Sequence, residues 1–86
     1  MISARKNNQA PMTRYADLNG NSGVVAYRSG RDWIDVKFVD GETYRYDVRS
    51  AGFAAIRQMK LLAALGSGLA TYINQHAHDR YAKHLP

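Results

Sequence analysis

The stretch Trp33-Ile34-Asp35-Val36-Lys37-Phe38-Val39-Asp40-Gly41-Glu42-Thr43-Tyr44-Arg45-Tyr46-Asp47-Val48 decides how this chain folds. Ile34, Val36 and Phe38 alternate with Trp33, Asp35, Lys37 and Val39; past Asp40-Gly41 the alternation resumes, with Tyr44, Tyr46 and Val48 set against Thr43, Arg45 and Asp47. A period of two in β-branched and aromatic residues is that of strands with one face in a core. Asp-Gly between two such runs marks a hairpin. The loop length follows from matching faces. A two-residue loop at Asp40-Gly41 pairs Val36 with Arg45 and Lys37 with Tyr44, mixing apolar and polar sets on both sides, which a half-buried strand does not tolerate. A loop of Asp40 to Glu42 sets Asp35 against Asp47 and Lys37 against Arg45, two like-charge pairs. With the loop Val39-Asp40-Gly41, Val36 faces Tyr44, Ile34 faces Tyr46, Asp35 faces Arg45 on the outer side, and Gly41 takes the left-handed position of a type I turn with a bulge. That register is the expectation.

Upstream, Ser22 to Tyr27 reads as a first strand running into a turn at Arg28-Ser29-Gly30. The polar, Asn-rich residues before it show neither period, so residues 1–20 are expected to form a flexible basic arm and 21–86 a single domain. Downstream, Ser50 is an N-cap candidate for a helix over Gly52 to Leu65, with Ala55, Ile56, Met59 and Ala63 on the face that covers the sheet. Gly66-Ser67-Gly68 ends it, and Leu69, Ile73, Ala77 and Tyr81 predict a second helix from Leu69 to His84. The expected fold is α+β: a three-stranded antiparallel sheet followed by two helices packed on one face, in the order β-β-β-α-α.

A chain of 86 residues buries only about 60% of the surface its unfolded form exposes. It has no cysteine, which excludes disulfides, thiolate zinc sites, iron–sulfur clusters and thiol nucleophiles, and suits a reducing compartment. The opening residues carry no apolar run of signal-peptide or membrane-span length, so a cytoplasmic protein without membrane attachment is expected. Twelve basic residues against seven acidic give a net charge of +5, which favours acidic partners. Residues 1–19 hold three basic residues and one acidic, residues 20–49 five of each, and residues 50–86 four against one. The electrostatic footprint is therefore expected on the arm and the C-terminal third.

Catalytic and metal constellations are missing. His76 and His78 sit about 200° apart on a helix and cannot share an ion, and His76 with Asp79 is too small a ligand set, so no metal and no other cofactor is expected. Gly66-Ser67-Gly68 has neither the lysine nor the preceding strand of a phosphate-binding loop. Asp35 and Asp47 read as solvated outer-face residues and not as an acid/base pair. No enzyme is expected, and no catalytic residue is named.

Binding residues are easier to place. Tyr72, His76, Arg80 and Lys83 recur at helical spacing, Arg57 and Lys60 form an i,i+3 pair, and the arm adds Arg5, Lys6 and Arg14. Together they suit phosphates, RNA above all; a solvated flank shielding the core is the other reading of the same helix residues. Trp33 is the candidate stacking residue on the outer sheet face, or else a rim tryptophan. The rings of Tyr44 and Tyr46 belong either to the core or to a base-stacking surface.

The string from Val36 to Tyr46, with its Tyr-x-Tyr motif, resembles the centre of the KTSC domain, a short module named for the lysyl-tRNA synthetase C-terminus. The resemblance extends to Ser22-Gly23-Val24, Tyr72-Ile73-Asn74 and Tyr81, covering about residues 21 to 81. It implies RNA binding and carries over Tyr44, Tyr46, Asn74 and Tyr81 as motif positions. The leading expectation is thus a small module that binds nucleic acid. The alternative is a protein-interaction module, such as a phage- or mobile-element-encoded inhibitor or adaptor of the nucleic-acid machinery, docking through Trp33, Val25 and Val39 or through the basic helix surface, or pairing as a homodimer.

Overall fold

A computed structural model describes residues 11–86. Among them five strands form one antiparallel sheet in sequential order: β1 (Thr13–Arg14), β2 (Val24–Ser29), β3 (Trp33–Phe38), β4 (Thr43–Asp47) and β5 (Lys83–Leu85). Between β4 and β5 lie α1 (Val48–Ala51), α2 (Phe53–Leu65) and α3 (Leu69–Tyr72), which runs on into a π-helical turn, Ile73–Ala77. The α+β class matches the expectation; the strand count and the element order do not.

The central hairpin has the register its alternation demands. Ile34 pairs with Tyr46, Asp35 with Arg45 and Val36 with Tyr44. The Phe38 amide donates to the Glu42 carbonyl (2.8 Å) and the Gly41 amide to the Phe38 carbonyl (2.9 Å), closing a three-residue loop in which Gly41 has φ of 92°. That left-handed backbone is strained for any residue with a Cβ. β2, expected over Ser22 to Tyr27, runs from Val24 to Ser29 and carries a bulge at Val25, which brings Arg28 opposite Asp35.

One face of the sheet carries the core. Val24, Ile34, Val36 and Tyr46 are buried against Ile56, Met59 and Ala63 of α2 and against Leu69, Ile73 and Ala77. Asp47, not Ser50, is the cap: its carboxylate accepts from the Ser50 amide (2.8 Å) while the Ser50 hydroxyl accepts from the Asp47 amide (3.1 Å), a capping box opening α1. Gly52 then turns the chain into α2.

Both ends of the described chain differ from the sequence reading. The part of the expected arm within the described residues is built into the fold: Thr13 and Arg14 pair with Tyr27 and Ala26, and Tyr15 is buried, its hydroxyl accepting from the Leu69 amide (3.2 Å). A buried aromatic anchored by a hydrogen bond outweighs the polar composition around it. At the other end the helix stops at Ala77, and Lys83–Leu85 pairs with Thr43, Tyr44 and Arg45. Ala82, Lys83 and Leu85 are competent helix formers, but a strand here fills the edge of β4, and tertiary pairing overrides a weak propensity.

Candidate functional site

Residues paired across an antiparallel ladder share a face, and the ladder therefore identifies everything on the side away from the helices. One row across the sheet is Arg14, Ala26, Lys37, Thr43 and Leu85; the next is Arg28, Asp35, Arg45 and Lys83. Every strand contributes one cation to this face. Arg14, Lys37 and Lys83 are exposed.

Asp35 organises the second row. Predicted as a solvated residue, it is fully buried. Its Oδ2 accepts from Arg28 Nε (2.8 Å) and Arg45 Nη2 (3.0 Å), its Oδ1 from Arg45 Nε (2.7 Å). Two guanidinium groups thus converge on one buried carboxylate, and the fork geometry of arginine makes such charge-assisted bonds strong. The hydrogen bond to Asp35 raises the Arg45 pKa above its ordinary value, against the opposing effect of burial.

Trp33 closes the end of this cluster. Its indole packs on the bare backbone of Gly30, where a Cβ would come within 2.3 Å of the ring nitrogen, and the Arg45 guanidinium carbon sits 4.0 Å from its ring centroid. One ring face is therefore already taken by a cation–π contact. Beyond it opens a hollow of about 440 Å³ lined by Asp32, Trp33, Arg45, Asp47, Val48, Arg49 and Phe53. Phe53 is 66% exposed at its rim.

The other sequence-predicted cations disperse. Arg5 and Lys6 lie outside the described residues. Lys60 Nζ donates to the Gly30 carbonyl and to the Arg31 carbonyl (2.8 Å), tying α2 to the β2–β3 turn, while Arg57 stays exposed on α2. The expected helical stripe is broken by the end of the helix: Tyr72 and His76 keep their contact, ring centroids 4.7 Å apart, but Arg80 falls in the following loop and Lys83 on β5. Trp33 opens β3 and Val39 follows its last residue, about 20 Å away by strand rise, so Trp33, Val25 and Val39 form no single patch.

The four motif positions converge instead on the helix side of the sheet. Phe38, Tyr44, Tyr46, Ile73, Asn74, His78, Asp79 and Tyr81 line a groove of about 350 Å³. Tyr44 is flanked by the His84 imidazole, nearly parallel (18°) with centroids at 4.7 Å, and by Tyr81, tilted at the same separation. The Tyr46 ring is core, which answers the question its alternation left open. Burial, with Tyr44 and Tyr81 nearby, pushes its pKa up to about 12.

The residues sequence reasoning missed are Arg28, Lys37 and Arg45. Their signal was parity: with the hairpin register in hand, Lys37 and Arg45 already share the outer face. No cluster of three or more metal-ligating side chains occurs among the described residues, and none of their helices is long and apolar enough to cross a membrane. No family model, curated protein or solved structure matches the chain.

Proposed function

We propose that the protein is a non-enzymatic module that binds single-stranded nucleic acid, RNA in the first instance, across the open face of its sheet. The observation that carries this reading is the row-by-row placement of Arg14, Arg28, Lys37, Arg45 and Lys83 on one face whose second row holds a single carboxylate, itself buried and shared by two of the arginines. A flat basic face suits a flexible phosphate backbone, and the adjoining hollow sets Trp33 and Phe53 beside Arg45 and Arg49, the mixture of aromatic and guanidinium groups on which unpaired bases stack. The resemblance to the KTSC domain points the same way.

The test is fluorescence anisotropy with a short unstructured RNA at several salt concentrations. Neutralising three phosphates through Arg14, Lys37 and Lys83 gives a log–log salt slope of about −2, at about 0.7 per phosphate on a single strand. Reversing all three to glutamate should abolish binding while circular dichroism stays unchanged. Binding that survives the reversal would refute the assignment of this face.

One observation favours a protein partner. Phe53, Leu61 and Leu65 of α2 are 66, 54 and 56% exposed at four- and eight-residue spacing, more apolar surface than a solvated helix face needs. Under that reading Leu61→Lys removes the interaction and the sheet reversals do not.

A further inference from the structure

We infer that the tyrosine groove holds one unpaired nucleobase, a second site on the opposite side of the sheet from the phosphate-binding face. The inference rests on the nucleic-acid reading for the source of the base. The lining argues for a planar heteroaromatic ring. Phe38, Tyr44 and Tyr81 supply aromatic surface, and Tyr81 remains 42% exposed. Polar groups stand among the rings: Asn74 offers both donors and an acceptor, Asp79 offers acceptors, and both are exposed. A base has this same composition, two apolar faces and a polar edge.

The His84 imidazole already covers one face of Tyr44, its ring nearly parallel, so the exposed Tyr81 is the ring that receives the base. Asn74 enters the lining from the π-helical turn and His78 from the residue just after it, a widened geometry that recurs at functional sites. The two sites are also continuous. β5 is only three residues wide, with Lys83 on the basic face and His84 on the groove side, and Arg80 precedes it in an exposed loop. A strand whose phosphates follow the sheet face reaches the groove by passing over this narrow edge, between two cations.

Adenosine 5′-monophosphate and ribose 5-phosphate, titrated separately into the full chain and followed by NMR, separate base recognition from phosphate attraction. The nucleotide should shift Asn74, His78 and the Tyr44 and Tyr81 rings saturably, and ribose 5-phosphate should leave them in place. Tyr81→Leu should weaken the nucleotide by about fivefold or more, the scale of one base–aromatic stack, and Asn74→Ala, at an exposed position, gives an independent reading of the same loss. Silent groove resonances, equal shifts from ribose 5-phosphate, or unchanged affinity in both variants would overturn the inference. Arg14→Glu with Lys37→Glu distinguishes the two proposals. If the groove still takes the nucleotide when RNA binding is lost, both stand; if RNA binds the wild type without shifting the groove, the groove fails and the sheet face stands; if the nucleotide binds and RNA does not, the groove stands alone.

Discussion

Replacing Asp35 by asparagine preserves the shape of the side chain and turns one acceptor oxygen into a donor facing a guanidinium N–H. The wild-type carboxylate accepts three hydrogen bonds at 2.7 to 3.0 Å and is wholly shielded, while the side chains of Arg28 and Arg45 keep 15 and 23% of their exposure. Removing one partner of a fully buried ion pair costs about 3–5 kcal/mol. The arginines retain some water, which lowers the expected loss to about 2–4 kcal/mol. At about 0.05–0.15 kcal/mol per residue the whole domain has roughly 4–13 kcal/mol to lose. For a chain of this size the change corresponds to a fall in Tm on the order of 10–30 °C. Urea and thermal unfolding followed by circular dichroism at pH 7 measure it, with Asp32→Asn in the exposed β2–β3 turn as the reference, expected within about 0.5 kcal/mol of wild type. A loss at Asp35 no larger than at Asp32, or one that disappears in 1 M salt, would show that the carboxylate is solvated and that the cluster does not organise the sheet face.

Two further perturbations probe the same architecture. Above pH 10 an unfolded tyrosine loses its proton while Tyr46, with its pKa raised to about 12, keeps it. The unfolded state then binds fewer protons, so stability present below pH 10 falls as pH rises toward 12, by about 2–3 kcal/mol at most; alkaline urea titrations of wild type against Tyr46→Phe should show the slope only in wild type. Gly30→Ala places a methyl group inside the Trp33 ring and must displace it. The tryptophan emission should shift to the red and stability should fall by about 1–3 kcal/mol, whereas an unchanged spectrum would mean that the indole does not rest on Gly30.

The central hairpin was legible because Ile34, Val36, Tyr44 and Tyr46 leave only one register that keeps them together without setting like charges opposite. The basic face was harder to see for an equally physical reason. Residues 20–49 carry as many acids as bases, and net charge hides how strands sort them. Asp32 and Asp40 go to turns, Asp47 caps α1, Glu42 pairs with His84, and Asp35 is buried, while Arg28, Lys37 and Arg45 all emerge on one side. The burial of Asp35 depends on Arg28, and that alignment on the bulge at Val25, which no alternation announces. β5 escaped because its three residues make sense as a strand only beside the edge of β4. The convergence of Tyr44, Tyr46, Asn74 and Tyr81 required that strand and the π-helical turn, neither of which has a sequence signature.

The strands at the two margins of the sheet are two and three residues long. A broad sheet that leaves one face uncovered is exposed to a particular failure, the addition of foreign strands at its edges and growth into ordered aggregates. Among the described residues each margin offers only a few free amides and carbonyls, and the charge of Arg14 stands on one of them and that of Lys83 on the other. Among the described residues, the borders of this sheet give a neighbouring chain almost no ladder to extend.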